Sequence, residues 1–211
     1  MLDLTHVREE YMRAGLDEKD VLADPLAQFT RWFDDAVKAE LPLPNAMSLA
    51  TVSREHRPSS RLVLLKGIDH GGFVFYTNTL SRKGREISAN AHAALLFAWL
   101  PLERQVRIEG TLSDVSAAQA DAYFNTRPLG SRHAAIASPQ SEIVASRAVL
   151  EALYQDAVRA TGDTPPRPAH WGGYRLLPVE IEFWQGRENR LHDRLVYCKS
   201  GQGWTLQRLA P

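Results

Sequence analysis

Arg61-Leu62-Val63-Leu64-Leu65-Lys66 stands between two turn-like groups, His56-Arg57-Pro58 and Asp69-His70-Gly71-Gly72. A short apolar run rich in branched side chains, bounded by Pro and Gly, reads as a β-strand rather than a piece of helix. Period-two alternation sends Arg61 and Lys66 to opposite faces. Two cations at strand ends are ordinarily side chains reaching for water; a functional reading needs partners elsewhere in the chain.

The same texture extends on both sides. From residue 46 onward, runs of Val, Leu, Ile, Phe and Thr predict strands over 46–52, 60–66, 73–77, 93–100 and 104–112, with a short helix opening at Ser81. Helix is expected over 116–125 and 141–160, and strands resume over 174–185, 191–199 and 204–209. Ahead of the strands, Asp24 caps a helix with Pro25 at its first position, and Leu26, Phe29, Phe33, Ala36 and Val37 form its apolar stripe. The fold class is therefore mainly β with helices (α+β), with antiparallel strands in a meander or barrel and flanking helices.

The bulk properties exclude several classes. The 211 residues, 44% of them hydrophobic, suffice for one sizeable core. We read 1–211 as a single domain, with 1–20 a mobile N-terminal segment, 116–161 a helical insertion and 171–211 a strand-rich end. Twenty-five basic residues balance twenty-five acidic ones, so no overall field favours nucleic acid or an anionic membrane. The one cysteine, Cys198, allows no internal disulfide, and charges at Asp3, Arg8, Glu9 and Glu10 leave no apolar leader; a cytoplasmic protein is expected. No uncharged stretch is long enough to span a bilayer. The sequence has no GxGxxG, GxxxxGK[ST], HExxH or CxxC, and its seven histidines are scattered, so neither nicotinamide, P-loop nor metal chemistry is indicated.

Local cation clusters remain. Tyr76-Thr77 followed by Ser81-Arg82-Lys83 places hydroxyls and two cations at a strand end and a helix start, where free amides and the helix dipole favour a phosphate; a capped, solvated helix is the alternative. Gln105 shares a strand face with Arg107 and Glu109 and carries an amide that both donates and accepts. Tyr123, Arg127 and Ser131 are spaced i, i+4, i+8, although Pro128 and Gly130 indicate a helix end between them. Trp184, Arg190, His192 and Arg194 fall on one strand parity if extended pairing continues, an aromatic beside cations that suits a planar anionic ligand; a solvated charged hairpin is the other reading.

In order along the chain, Arg8-Glu9-Glu10-Tyr11, Arg61 to Lys66, Phe75-Tyr76-Thr77-Asn78, Ser81-Arg82-Lys83, Glu103-Arg104-Gln105-Val106, Arg127-Pro128, Pro139-Gln140-Ser141, Trp171-Gly172-Gly173, Trp184-Gln185-Gly186, Arg190-Leu191-His192-Asp193-Arg194 and the final Arg208-Leu209-Ala210-Pro211 resemble the pyridoxine/pyridoxamine 5′-phosphate oxidase family. The resemblance is nearly end to end. It implies the FMN-binding split β-barrel and a homodimer with FMN in clefts between subunits, 171–211 being the C-terminal dimerisation and active-site strands. By the family pattern, FMN meets Arg61, Leu62, Val63, Leu64, Leu65, Lys66, Tyr76, Thr77, Arg82, Lys83, Gln105, Gln140, Ser141, Trp184 and Arg194. The substrate meets Lys66, Tyr123, Arg127 and Ser131 through its phosphate, and Arg190, Leu191 and His192 across its ring. Arg190 and His192 are the residues the pattern makes catalytic, and Arg8, Glu9, Glu10 and Tyr11 a cover.

The implied reaction turns pyridoxine or pyridoxamine 5′-phosphate into pyridoxal 5′-phosphate, with oxygen as acceptor and hydrogen peroxide as product. One stretch departs from the pattern: Ser131-Arg132-His133-Ala134-Ala135-Ile136 stands where the family usually has Ser-Gln-Ile-Gly-Ala-Trp, so that Arg132 adds charge near the expected phosphate. Other readings are an oxidase of another ring system, of the phenazine-pathway kind, and a carrier that binds FMN or pyridoxal phosphate without turnover.

Overall fold

The computed structural model describes residues 15–211; Arg8, Glu9, Glu10 and Tyr11 lie outside the described residues. Strands β1 (Ala46–Val52), β2 (Pro58–Leu64), β3 (Gly67–Asp69), β4 (Gly72–Asn78), β5 (His92–Trp99), β6 (Arg104–Asp114), β7 (Trp171–Gln185), β8 (Asp193–Ser200) and β9 (Gly203–Leu209) make one antiparallel sheet. Its order is β2-β1-β5-β6-β7-β4-β3, with β8 and β9 continuing from β7. The helices are α1 (Pro25–Lys38), α2 (Arg82–Ala89), α3 (Ala117–Thr126), α4 (Leu129–Ala137) and α5 (Arg147–Thr161).

The long strand β7 organises the rest. One edge pairs with β6 from Tyr174 to Gln185, while the other is divided, its first half pairing with β4 and its second with β8. Thirteen residues at ~3.3 Å each separate Trp171 from Trp184, on the order of 40 Å of strand path. The two ends of β7 therefore serve different places on the molecule. The ladder with β6 shifts register between Glu109 and Gly110, and such a bulge adds twist and bends the strand.

The core fills the concave side. Phe29 of α1 meets Phe73 edge-on at 5.0 Å and Phe97 at 4.9 Å, and Trp32 meets Phe183 at 5.1 Å. These pairs add to the apolar area they bury, each contributing about 0.5–1.5 kcal/mol beyond it. Asp24 accepts from the Leu26 amide and Pro25 occupies the first turn, as expected. Of the expected stripe, Phe29 and Ala36 are buried in the core and Leu26 and Phe33 pack against it, joined by Gln28 and Trp32, while Val37 is half exposed.

Other differences have local causes. The second strand stops at Leu64, two residues early, because the Leu65 amide turns to the Asn45 carbonyl and the Lys66 amide to Val74 of β4. Helix α5 starts at Arg147, six residues late, where the Ser146 hydroxyl caps it. Helix α4 was not foreseen; it begins directly after Pro128, so the expected helix end is a corner between two helices. Extended pairing does not continue to Arg190. The β7–β8 ladder ends at Gln185–Asp193, and Glu188–Arg190 form a 3₁₀ turn in which Asn189 and Arg190 have φ of 56° and 61°.

Candidate active site

A cleft of about 670 Å³ lies between the β2–β4 side of the sheet and the α3–α4 corner. Its floor is an aromatic stack: Tyr76 lies 4.2 Å from Tyr123 and 5.4 Å from Trp171, with rings nearly parallel. The close approach needs Gly173, where a Cβ would sit 2.6 Å from the Tyr76 ring. Behind it, the Asp69 carboxylate, the Gln119 amide and the Arg175 guanidinium hydrogen-bond in a ring.

The corner between α3 and α4 brings Tyr123, Arg127 and Ser131 to the cleft, opposite Lys66. The Lys66 ammonium stands 5.8 Å over the Tyr123 ring, and the Arg127 guanidinium 4.8 Å over Trp171. Among the described residues, Arg127 Nη1 and Arg132 Nε are the buried side-chain atoms without a hydrogen-bond partner. Burial pulls the Arg127 guanidinium below its ordinary pKa. An unpaired N–H of this kind costs about 1–3 kcal/mol.

The second cationic group gathers at the start of α2. Ser81 caps the helix by accepting from the Gly84 amide. The Lys83 ammonium donates to Ser81 Oγ at 3.2 Å and to Gln140 Oε1 at 2.7 Å, and Thr77 Oγ1 lies 3.4 Å from the same Gln140 oxygen. Burial and then the nearby Arg61 draw Lys83 down to about 8. A lysine desolvated among neutral oxygens, at a helix N-terminus and beside an arginine, suits a phosphate dianion.

Arg61 and Arg82 stand back from the cleft lining. Both are tied to Glu86 of α2, at 3.2 and 2.9 Å. Leu62, Val63 and Leu64 line the cleft, whereas Leu65 turns into the core. Ser141 is exposed next to Gln140, with φ of 75°.

The remaining expected residues do not join this cleft within one chain. Gln105 and Trp184 pair across β6 and β7, Trp184 pairs with Arg194 across β7 and β8, and all three line a separate cleft of about 230 Å³ closed by Pro211. Arg194 binds Glu182 through both carboxylate oxygens at 2.9 and 3.0 Å. The His192 ring lies 4.6 Å from the Trp184 ring, and its Nδ1 accepts from the Arg187 amide. Arg190, in the left-handed turn, is not brought onto the shared strand face that parity suggested. Two adjacent left-handed residues are backbone strain of a kind that clusters at functional sites.

Two features escaped sequence reasoning. Trp171 underlies both Tyr76 and Arg127; Gly173, two residues on, which permits the close approach to Tyr76, was its signal. Glu182 holds Arg194 and also Arg107 at 2.9 Å, and shares Trp184's strand parity. In the atypical stretch, His133 is buried, with Nε2 2.8 Å from the Gly162 carbonyl and its ring edge-on to Tyr154. It ties α4 to α5. Arg132 lies outside the cleft lining.

Residues 33–157 match the pyridoxamine 5′-phosphate oxidase family, and residues 171–211 match the pyridoxine 5′-phosphate oxidase C-terminal dimerisation region. The chain belongs to the pyridoxamine 5′-phosphate oxidase family. It is 56% identical over 214 residues to a pyridoxine/pyridoxamine 5′-phosphate oxidase of Burkholderia lata and 57% identical over 212 residues to one of Ralstonia pickettii, covering all of both chains in each pair. Among solved structures it resembles PhzG from Burkholderia lata, in complex with tetrahydrophenazine-1-carboxylic acid: TM-score 0.89, 32% identity, covering 96% of this chain and 100% of that one. A pyridoxamine 5′-phosphate oxidase-related FMN-binding protein of Nostoc punctiforme, at 18% identity and TM-score 0.72 over 90% of this chain and 100% of that one, shares the fold. The family and the fold are those the sequence motifs indicate: an antiparallel split barrel with flanking helices. Among the described residues, no helix is long and apolar enough to cross a membrane.

Proposed function

We propose that this chain is an FMN-dependent oxidase that converts pyridoxine 5′-phosphate or pyridoxamine 5′-phosphate into pyridoxal 5′-phosphate, reducing oxygen to hydrogen peroxide. The observation that carries the reading is Arg127, which lines the cleft together with Lys66, Tyr123 and Ser131 and whose guanidinium has a buried nitrogen without a partner. Four donors of this kind, two of them cationic, match the oxygens of a substrate phosphate.

FMN, when bound, supplies the two-electron redox chemistry. The chain's residues do the rest. Lys83, Thr77 and Gln140, with Arg61, Arg82 and Ser141 around them, hold the cofactor phosphate, while Tyr76 and the Leu62–Leu65 stretch border its ring. The protein works as a homodimer, assembled through 171–211, in which Gln105, Trp184 and Arg194 of one subunit close the large cleft of the other. That arrangement accounts for expected residues lying at opposite ends of β7 within a single chain.

Arg190, Leu191 and His192 arrive with that second subunit and lie over the substrate ring. His192 accepts at Nδ1 from the Arg187 amide, which fixes the orientation of its ring. Residues 1–211 act as one unit whose helical insertion, 116–161, carries the substrate-phosphate clamp. We place the enzyme in the cytoplasm, with Cys198 reduced.

The likeness to PhzG supports a second reading, oxidation of a tetrahydrophenazine carboxylate. Against it stands sequence: two Burkholderia lata proteins flank this chain, and it is 56% identical to the pyridoxine/pyridoxamine 5′-phosphate oxidase but 32% to PhzG. The test is peroxide release from the FMN-loaded protein. Release with pyridoxine 5′-phosphate and none with tetrahydrophenazine-1-carboxylic acid is expected; the reverse selects the second reading. Binding without peroxide from either makes the protein a carrier.

A further inference from the structure

We propose that Glu86 is a positioning residue for cofactor binding: its carboxylate holds Arg61 and Arg82 in fixed orientation beside Lys83, so that three cations at the start of α2 present one preformed phosphate seat. The inference rests on the reading that this cluster takes the FMN phosphate. The side chains that hydrogen-bond Glu86, those of Thr51, Ser59, Arg61 and Arg82, are not among the cleft lining.

Glu86 is 6% exposed and its two oxygens are divided between two tasks. One, Oε1, accepts from Arg82 Nε at 2.9 Å, one helical turn away on the same face. The other, Oε2, accepts from Thr51 Oγ1 at 2.5 Å, Ser59 Oγ at 2.6 Å and Arg61 Nη2 at 3.2 Å. Arg61 is fixed further by donating to the Leu49 carbonyl at 2.9 Å and to Thr51 Oγ1 at 2.6 Å. The network thus ties α2 to strands β1 and β2 through a single carboxylate. Although burial pushes its pKa up, hydrogen bonds from Ser59, Thr51 and Arg82 hold Glu86 down to about 2, so it is ionised at any pH where the protein works.

The charges explain why a carboxylate belongs in a phosphate seat. Arg61, Arg82 and Lys83 sit close enough that Arg82 disfavours the charge on Arg61 and Arg61 that on Lys83. Without a counter-charge, three cations would spread apart before a ligand arrives. Glu86 cancels part of that repulsion from behind, and preorganisation of this kind raises affinity by lowering the ordering cost on binding.

The test compares FMN with riboflavin, which has the ring without the phosphate, by quenching of flavin fluorescence on titration with the apo-protein. Glu86→Ala is expected to weaken FMN binding about tenfold or more, the scale of one misplaced charge-assisted hydrogen bond, and to leave riboflavin binding within about twofold of wild type. Glu86→Gln keeps an acceptor for the hydroxyls and Arg61 but presents a donor to Arg82, so an intermediate FMN loss is expected, again without a riboflavin effect. Should Glu86→Ala fail to fold, Glu86→Gln decides. Equal losses for FMN and riboflavin, or no loss for either, overturn the proposal. Wild-type protein that binds no FMN overturns the underlying reading instead.

Discussion

Replacing Arg127 with Met keeps most of the side-chain volume and removes the charge. The guanidinium makes two kinds of contact that oppose each other in the free protein. Its position 4.8 Å over Trp171 stabilises the fold by about 0.5–2 kcal/mol, while its buried, unpartnered Nη1 costs about 1–3 kcal/mol. The two nearly cancel, so Arg127→Met is expected to melt within a few degrees of wild type. With a phosphate present the balance changes, because a charge-assisted hydrogen bond contributes about 1.5–3 kcal/mol, or roughly 10- to 150-fold in affinity. The KM for pyridoxine 5′-phosphate should rise by that factor, whereas FMN content, read from absorbance of the purified protein, should not change. The assay is peroxide-coupled turnover against substrate concentration, with a thermal melt alongside. A KM within twofold of wild type, or loss of FMN, would refute the assignment of Arg127 to the substrate phosphate.

Further expectations follow from neighbouring residues. Because Lys83 titrates near 8 in the free protein and a bound dianion favours its charged form, FMN binding takes up a proton above that pH; affinity should hold steady below about pH 8 and fall by up to about tenfold per pH unit above it. Titrations at pH 7, 9 and 10 check this, and a flat profile contradicts it. Arg190→Ala should reduce turnover and substrate affinity more than FMN retention, and Arg82→Ala the reverse; equal FMN loss in both variants speaks against the division of roles. Gly84→Ala should lower stability by about 1–3 kcal/mol, because its Cβ would overlap the Thr79 backbone carbonyl; denaturant melts read this directly, and an unchanged midpoint contradicts the packing.

The strands were legible because their signals are local. β1 was read to the residue, and most other strands to within one or two, from branched and aromatic runs ended by Gly or Pro. β7 was begun three residues late, since Trp171-Gly172-Gly173 looks like a turn until Tyr76 is known to pack on it. Helix α4 was missed because Pro128 and Gly130 are breakers in isolation, yet Pro128 here sits just before the first turn, where its missing N–H costs nothing. The stripe of α1 is wider than its plainly apolar residues indicate, because Gln28 and Trp32 carry polar atoms yet are buried, and Gln28 uses its own to accept from the Leu22 amide.

The site was legible in kind but not in assembly. Spacing brought Tyr123, Arg127 and Ser131 together, and Ser81 to Lys83 onto a helix start, since both depend on neighbours in sequence. Glu182 and the Arg61 half of Glu86's role could not be assigned from the sequence, because the arginines lie 12 and 25 residues distant, whereas the Arg82–Glu86 pair is one helical turn apart. Nor does strand parity reveal that Arg190 leaves the ladder for a left-handed turn.

The division of the expected site between the two ends of β7 is tested most directly by subunit mixing. Arg127→Met disables the large cleft and Trp184→Ala the small one; refolded together with FMN, half of the dimers should be mixed and each should hold one unaltered site. At substrate concentrations near the wild-type KM, where the raised KM of Arg127→Met leaves it slow alone, activity should recover to about a quarter of wild type, above that of either variant by itself. If the mixture stays as inactive as its parents, while size-exclusion and mass measurements confirm mixed dimers, the site is built within one chain and the account is wrong.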